Sequence, residues 1–211
     1  KSVKIPEPEI RYLKLGQIEG CLKAVQGDRL EPLIVCAIFS GLRRGEICWL
    51  PWDDVDLTEG KPLLHVRKKM DGKLECKPKT GKKGAVPIHS RLLPYLNEAK
   101  LRAGNNRWVF LSPESCRWDP DNLGHHLSDL MASVRLDWGF LEFRHTYGSQ
   151  LAIKGVSLLK IAKLMGNSFR IAERHYASPQ TEDLHDDIEF GSATDQSKSS
   201  SRGERRVDRS T

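Results

Sequence analysis

The sequence predicts an α+β domain that is mainly helical and contains a small antiparallel β-sheet. Two observations indicate this class. Apolar residues recur every three or four positions over most of the chain, as on one face of a helix, and short β-prone segments interrupt this period between Leu63 and His89. The chain has 211 residues, of which 38% are hydrophobic, so it is long enough and apolar enough to bury one core.

Three helices are predicted in the first part of the chain. Leu15 to Val25 has apolar residues on one helical face, and Glu31 to Ser40 is apolar nearly all round, which predicts a buried helix. Gly41 is expected to break or cap that helix, because glycine accepts the left-handed conformation found at helix ends. A third, short helix is predicted from Arg43 to Leu50, and Pro51 is expected to end it.

The interruption is predicted to be the β-sheet. Its strands are Leu63 to Arg67, Lys73 to Cys76 and Ala85 to Ile88, separated by Asp71-Gly72 and by Gly81. Asp-Gly between two such segments is a strong signal for a hairpin turn.

Helices dominate the rest of the chain, which divides into three regions. The predicted helices are Arg91–Ala103, Asn122–Val134, Glu142–Ile153, Leu158–Leu164, Ile171–Tyr176 and Thr181–Ile188. Residues 1–10 contain two prolines and predict a linker stub, and residues 11–190 form the domain. Residues 191–211 are expected to be a disordered basic tail, because they have too few apolar side chains to offset the entropy of ordering.

Positive charge is concentrated on the predicted sheet. The whole chain has a net charge of +6, whereas residues 61–83 alone contain nine basic residues. These are Lys61, Arg67, Lys68, Lys69, Lys73, Lys77, Lys79, Lys82 and Lys83. Such a local field is typical of a surface that faces a phosphate backbone, and it makes Lys68, Lys69, Lys77, Lys82 and Lys83 candidate DNA contacts. A solvated lysine-rich hairpin would have the same composition.

Composition argues against several classes of protein. No apolar run approaches the ~18 residues of a membrane-spanning helix, and the N-terminal residues lack the apolar block of a signal peptide. The five cysteines are odd in number and contain no C-x-x-C pair, so they indicate neither a disulfide framework nor a zinc site. We therefore expect a cytoplasmic protein without a membrane segment or a bound metal.

Three separated segments combine into one pattern. They are Gly-Leu-Arg-Arg-Gly-Glu at 41–46, Lys-Pro-Lys-Thr-Gly-Lys-Lys at 77–83, and Leu-Glu-Phe-Arg-His-Thr at 141–146, the last followed by Met-Gly-Asn at 165–167 and Arg-His-Tyr at 174–176. In this order and spacing they resemble the catalytic domain of the tyrosine recombinases, the phage integrase family of DNA-cutting and rejoining enzymes. The resemblance implies a mainly helical catalytic domain in which the β-hairpin provides an active-site lysine.

Arg43 and Arg144 are the candidate phosphate-binding residues. Arg43 follows a buried helix, and its planar guanidinium can donate two parallel hydrogen bonds to phosphate oxygens. Arg144 is predicted to lie mid-helix among aromatic neighbours, where an unpaired cation would be costly, so it needs an anion. Two such groups would neutralise the charge that builds on a phosphodiester under attack. The alternatives are ordinary ion pairs, of Arg43 with Glu46 and of Arg144 with Glu142 or Asp137.

Tyr176 is the nucleophile that the resemblance implies. Its phenolate would attack phosphorus, expel the 5′ hydroxyl of DNA and form a 3′-phosphotyrosine, so no cofactor and no metal are required. A phenol has a pKa near ~10, and attack at neutral pH therefore needs a base or a strongly cationic pocket. Tyr147 and Tyr95 are the rival tyrosines, and helix packing explains their positions better.

Protonation of the leaving 5′ oxygen is the role that the resemblance gives to a hairpin lysine. Lys79, in Lys-Thr-Gly, is the candidate, and Lys77, Lys82 and Lys83 remain alternatives. Phosphate contact without sequence preference is the alternative role for each of these lysines.

Two positions depart from the family pattern. Leu141 stands where the family usually has histidine, and Asn167 stands where it usually has histidine or tryptophan. Asn167 can still donate a hydrogen bond to phosphate, whereas Leu141 can donate none, which removes a candidate proton acceptor for Tyr176. His145 is the nearest substitute, although the family pattern gives it, like Glu46, a supporting role.

The leading hypothesis is a site-specific DNA recombinase or integrase that binds double-stranded DNA and self-associates on it as a synaptic tetramer. Family members usually have a separate N-terminal helical domain, which would attach at residues 1–8. The alternative is a DNA-binding module of the same fold with impaired strand cleavage, which Leu141 permits. A type IB topoisomerase would use the same chemistry, but the residues of these motifs resemble those of integrases.

Overall fold

A computed structural model describes residues 10–71, 74–76 and 84–177. Within these ranges the helices are Leu15–Ala24 (α1), Glu31–Ser40 (α2), Arg44–Cys48 (α3), Leu93–Arg102 (α4), Pro120–Ser133 (α5), Phe140–Ile153 (α6), Leu158–Met165 (α7) and Phe169–Tyr176 (α8). The strands are Val55–Asp56 (β1), Leu63–Val66 (β2), Lys69–Asp71 (β3), Leu74–Cys76 (β4) and Gly84–Pro87 (β5). Three predicted parts of the chain lie outside the described residues. They are residues 1–9 of the linker stub, the helix at 181–188 and the basic tail.

The helices from α1 to α8 confirm the predicted ones, with ends that differ by two residues at most. Three of these helices, α5, α6 and α8, begin two residues before the predicted start, and a side chain caps two of them. The Asp119 carboxylate accepts hydrogen bonds from the first backbone amides of α5, and the Ser168 hydroxyl accepts one from the Ile171 amide in α8. A cap stabilises the first turn without adding an apolar residue, so a prediction from periodicity alone places the start of the helix too late.

The β-structure is antiparallel as predicted, but its pairing differs from a single sheet. Strands β1, β2 and β5 form one sheet in the order β1-β2-β5, with Leu64 opposite Val86. Strands β3 and β4 form a separate hairpin, in which Lys69 pairs with Cys76. Strand β3 was not predicted, because its one apolar residue, Met70, is exposed while Lys69 is buried, the reverse of the usual pattern. Residues 77–83, outside the described ranges, connect this hairpin to β5.

The core is built around α2, which is buried on all sides and packs against α6. Gly41 ends α2 in the left-handed conformation, with φ 63°. A Cβ atom at this residue would lie 2.4 Å from Cδ1 of Tyr147 on α6, so both the backbone conformation and the close packing require glycine. This contact brings the chain after α2, which contains Arg43, against α6, which contains Arg144.

A second, smaller core lies between α6, α7 and α8, where Tyr176 packs with Ile161, Met165 and Ala172.

Within the described part of the chain, none of the helices combines the length and the hydropathy that a bilayer span requires.

Candidate active site

Arg43 is held between α3 and the end of α7. Its Nη1 donates to Oε1 of Glu46 at 2.9 Å, and its backbone amide donates to Oε2 of the same carboxylate at 2.8 Å. Its Nη2 donates to the Gly166 carbonyl at 3.2 Å and to Oδ1 of Asn167 at 3.0 Å. The ion pair with Glu46 therefore exists and orients the guanidinium without occupying all of its donors.

Arg144 lies on α6 with 8% of its surface exposed. Its guanidinium donates to the carbonyls of Gly41 and Met165, and to Oδ1 of Asn167 at 3.1 Å. The acidic partners considered from sequence are engaged elsewhere, since Glu142 accepts from the Gly139 amide and Asp137 from Arg11.

The charge of Arg144 is thus met by neutral oxygens. Burial and the nearby charge of Arg43 lower the pKa of Arg144 to about 10, which still leaves it protonated at pH 7. A buried cation without a carboxylate in direct contact favours the binding of an anion.

Asn167 joins the two arginines. It follows Gly166, which ends α7 in the left-handed conformation, and its backbone amide donates to the Ala162 carbonyl at 2.9 Å. Its Oδ1 accepts from both Arg43 and Arg144, which fixes the orientation of the carboxamide and leaves Nδ2 as the donor for an incoming oxygen.

Tyr176 is the last residue of α8 and is only 1% exposed. Its hydroxyl lies 3.2 Å from Nδ1 of His145. Burial raises the pKa of Tyr176 to about 12, although the charge of Arg144 acts in the opposite direction. The tyrosine packs in one cluster with Met165, whose backbone carbonyl accepts a hydrogen bond from Arg144.

His145 forms a small aromatic cluster with α8. Its ring meets that of His175 edge to face, with 5.5 Å between centroids. Burial lowers the pKa of His145, and the charges of His175 and Arg144 add to the effect. The imidazole is therefore neutral at pH 7.

The rival tyrosines have structural roles. The Tyr147 ring fills the space above Gly41, and the Tyr95 hydroxyl donates to Oε1 of Glu31 at 2.5 Å. Leu141 is 62% exposed and lines a neighbouring cleft, one helical turn before His145 on α6. Its side chain offers no hydrogen-bonding group to the site.

The candidate lysines fall into three groups. Lys77, Lys79, Lys82 and Lys83 lie outside the described residues. Lys68 is exposed and pairs with Glu75. The expectation that Lys69 contacts DNA is corrected by the structure. Its side chain is buried, and its Nζ lies 3.1 Å from the buried carboxylate of Asp54.

A cleft of about 660 Å³ opens beside the arginines. Its lining includes Arg43, Arg144 and Asn167, together with Val66 and Gly84 of the three-stranded sheet. Gly84 is the first residue after the lysine segment, so the chain enters the sheet at the edge of this cleft.

Three contributors to the site were missed from sequence. They are the backbone carbonyls of Gly41 and Met165, which bind Arg144, and Gly148, which makes room for Tyr176. The carbonyls leave no sequence signal. A glycine inside a helix, one turn after Arg144, was a signal for close packing that could have been used.

Replacing Gly148 with alanine is expected to destabilise the domain and displace Tyr176. The new Cβ would lie 2.4 Å from Cζ of Tyr176 and 2.8 Å from Sδ of Met165. Alanine in a helix is normally more stable than glycine by about 1 kcal/mol, so a lower melting temperature would report the clash. Gly20→Ala is the matched control, because Gly20 lies in α1 with no atom near its Cβ position, and it should raise the melting temperature. Equal stabilisation by both substitutions would contradict the packing of Tyr176 on Gly148.

Comparison with known proteins identifies the family of the chain. The family model described as "Phage integrase family" matches residues 13–182. A tyrosine recombinase XerC-like protein of Caldanaerobacter subterraneus subsp. tengcongensis is 29% identical over 189 residues, covering 77% of this chain and 48% of that protein. The integrase of Escherichia phage P2 is 26% identical over 188 residues, covering 89% of this chain and 49% of that protein. The chain thus spans about half the length of these two relatives.

Solved structures share the fold. The Tn1549 transposon integrase, in complex with a circular intermediate DNA, aligns with a TM-score of 0.74 and 18% identity over 89% of this chain and 68% of that chain. The XerA recombinase aligns with a TM-score of 0.66 and 19% identity over 97% of this chain and 68% of that chain. The chain belongs to the phage integrase family, and its α+β fold is that of the tyrosine recombinase catalytic domain.

Proposed function

We propose that this chain is the catalytic part of a site-specific DNA recombinase or integrase, which cuts and rejoins double-stranded DNA through a 3′-phosphotyrosine. The observation that supports this most strongly is the convergence of Arg43 and Arg144 on Oδ1 of Asn167. Tyr176 packs in one cluster with Met165, whose carbonyl accepts a hydrogen bond from Arg144. On this proposal, the recombining sites are paired by self-association of the protein on DNA, in a synaptic tetramer.

The reaction requires a cationic pocket for one phosphodiester. Arg43 and Arg144 would bind its non-bridging oxygens, and Nδ2 of Asn167 would donate a further hydrogen bond. As Tyr176 attacks, negative charge grows on those oxygens, and donors already in place stabilise it without reorganisation. Lys79 would protonate the leaving 5′ oxygen, since it precedes Gly84 at the edge of the cleft by only five residues.

A suicide DNA substrate tests the proposal. The duplex carries a nick close to the cleavage position, so that the released 5′ fragment diffuses away and the covalent complex accumulates. Denaturing gels should then show a protein–DNA adduct that protease treatment removes. When the site sequence is unknown, a library of duplexes selected by covalent capture provides the substrate.

A catalytically impaired DNA-binding module is the alternative. The exposed Leu141 and the almost complete burial of Tyr176 favour it, because the hydroxyl must be uncovered before it can reach phosphorus. Sequence-specific binding without any adduct, on a nicked substrate at high protein concentration, would support this alternative over the recombinase.

The affinity for DNA is expected to depend strongly on salt through the lysine segment. Replacing Lys68, Lys82 and Lys83 with glutamine should reduce the slope of log affinity against log salt by about 0.9 for each lysine that contacts a phosphate. Lys14→Gln with Lys23→Gln, at two exposed positions just before α1 and near its end, is the control and should leave the slope unchanged. A filter-binding or anisotropy titration at several salt concentrations measures both. An unaltered slope in the triple variant would show that the segment does not face DNA.

A further inference from the structure

The contact between α6 and the end of α8 indicates how Tyr176 loses its proton. Tyr176 is buried and its hydroxyl lies 3.2 Å from Nδ1 of His145. Leu141, one helical turn before His145, has no group that could accept a proton. Resting on the proposed function, we infer that His145 is the proton acceptor for the Tyr176 hydroxyl during strand cleavage.

The geometry suits a proton transfer. A distance of 3.2 Å allows the hydroxyl to donate to an unprotonated Nδ1, which requires the tautomer with the hydrogen on Nε2. Gly148 fixes the position of the tyrosine ring because it leaves no side chain between the ring and α6. The His175 ring packs edge to face against His145 and limits its rotation.

The charges around His145 keep it in the accepting form. Arg144 and Glu142 lie on its own helix, and His175 and Tyr176 face it from α8. Burial, His175 and Arg144 lower the pKa of His145, while Glu142 opposes them, so the imidazole is neutral at pH 7. Burial also raises the pKa of Tyr176 to about 12, so only about 1 in 100,000 molecules carries a phenolate at pH 7 without a base.

Strand cleavage by this route moves two protons. The Tyr176 oxygen forms a bond to phosphorus while its proton moves to Nδ1 of His145, and the bond from phosphorus to the 5′ oxygen breaks. The 5′ oxygen takes a proton from the general acid, for which Lys79 is the candidate. In rejoining, the imidazolium of His145 returns its proton to the tyrosine oxygen as that oxygen leaves phosphorus.

The test uses single-turnover adduct formation on the suicide substrate over a range of pH. His145→Asn is the informative variant, because its amide can still hydrogen-bond Tyr176 from the position of Nδ1 but is not basic. His145→Gln is the second variant, in case the first lowers the melting temperature. His89→Asn is the matched control, because His89 stacks on Phe39 instead. A substrate with sulfur in place of the bridging 5′ oxygen removes the need to protonate the leaving group.

We expect His145→Asn to slow adduct formation about 10²- to 10⁴-fold at pH 7, the usual contribution of a general base. The wild-type rate should fall as pH drops through the lowered pKa of His145, because protonated imidazole cannot accept. The variant should lack this fall, and its defect should persist on the sulfur substrate.

Three results would overturn the inference and leave the proposed function intact. The first is a folded variant that reacts within twofold of the wild type or faster. The second is a defect that disappears on the sulfur substrate, which would make His145 a donor to the leaving group. The third is a slow variant that keeps the low-pH fall, which would make His145 a positioning residue. If the wild type forms no adduct on any captured duplex, the proposed function fails, and the inference fails with it.

Discussion

Replacing Tyr176 with phenylalanine is expected to abolish the covalent protein–DNA adduct while leaving DNA binding nearly unchanged. The substitution removes only the hydroxyl, and the ring continues to fill the space beside Gly148 and Met165. Loss of the hydrogen bond to His145 should cost about 1 kcal/mol of stability, too little to unfold the domain. The measurement is the denaturing gel with the suicide substrate, together with a binding titration.

Tyr147→Phe is the matched control for this experiment. Tyr147 is half-buried on the same helix as His145, and phenylalanine would keep its ring above Gly41. The control should form adduct at the wild-type rate. An adduct that persists in Tyr176→Phe and disappears in Tyr147→Phe would show that Tyr147, and not Tyr176, is the nucleophile.

Replacing Arg144 with lysine is expected to give the second largest loss. Lysine retains the charge, but its single nitrogen cannot donate to the carbonyls of Gly41 and Met165 and to Asn167 with the planar geometry of a guanidinium. Loss of one preorganised donor to the transition state should lower the rate of adduct formation about 10²- to 10³-fold.

The substitution of Arg144 also has a structural cost that must be separated from catalysis. A buried carbonyl left without its donor costs about 1–3 kcal/mol, so the melting temperature should fall. The rate is therefore measured well below the melting temperature of the variant. Arg91→Lys is the control, since Arg91 pairs with exposed Glu19 at the surface. A wild-type rate in folded Arg144→Lys would contradict an anion site at this arginine.

The helices of this protein could be predicted from sequence because each has its own local signal. The apolar period of α1 and the wholly apolar α2 required no knowledge of their partners. Strand β3 could not be predicted, because its one apolar side chain, Met70, is exposed while the charged Lys69 is buried, and because its pairing with β4 is a tertiary contact. For the same reason Lys69 was misassigned, since only the packing of β3 shows that its charge is met by Asp54.

The family and the fold class follow from the sequence alone, and so do the candidate site residues, because spaced motifs and hydrophobic period are properties of the chain. How these residues meet depends on the folded structure. Asn167 binds both arginines, and His145 instead of the residue at position 141 contacts Tyr176. These contacts join α3, α6, α7 and α8, whose relative placement depends on packing around Gly41 and Gly148. Packing between distant segments leaves no periodic signal in the chain, so only the folded structure reveals it.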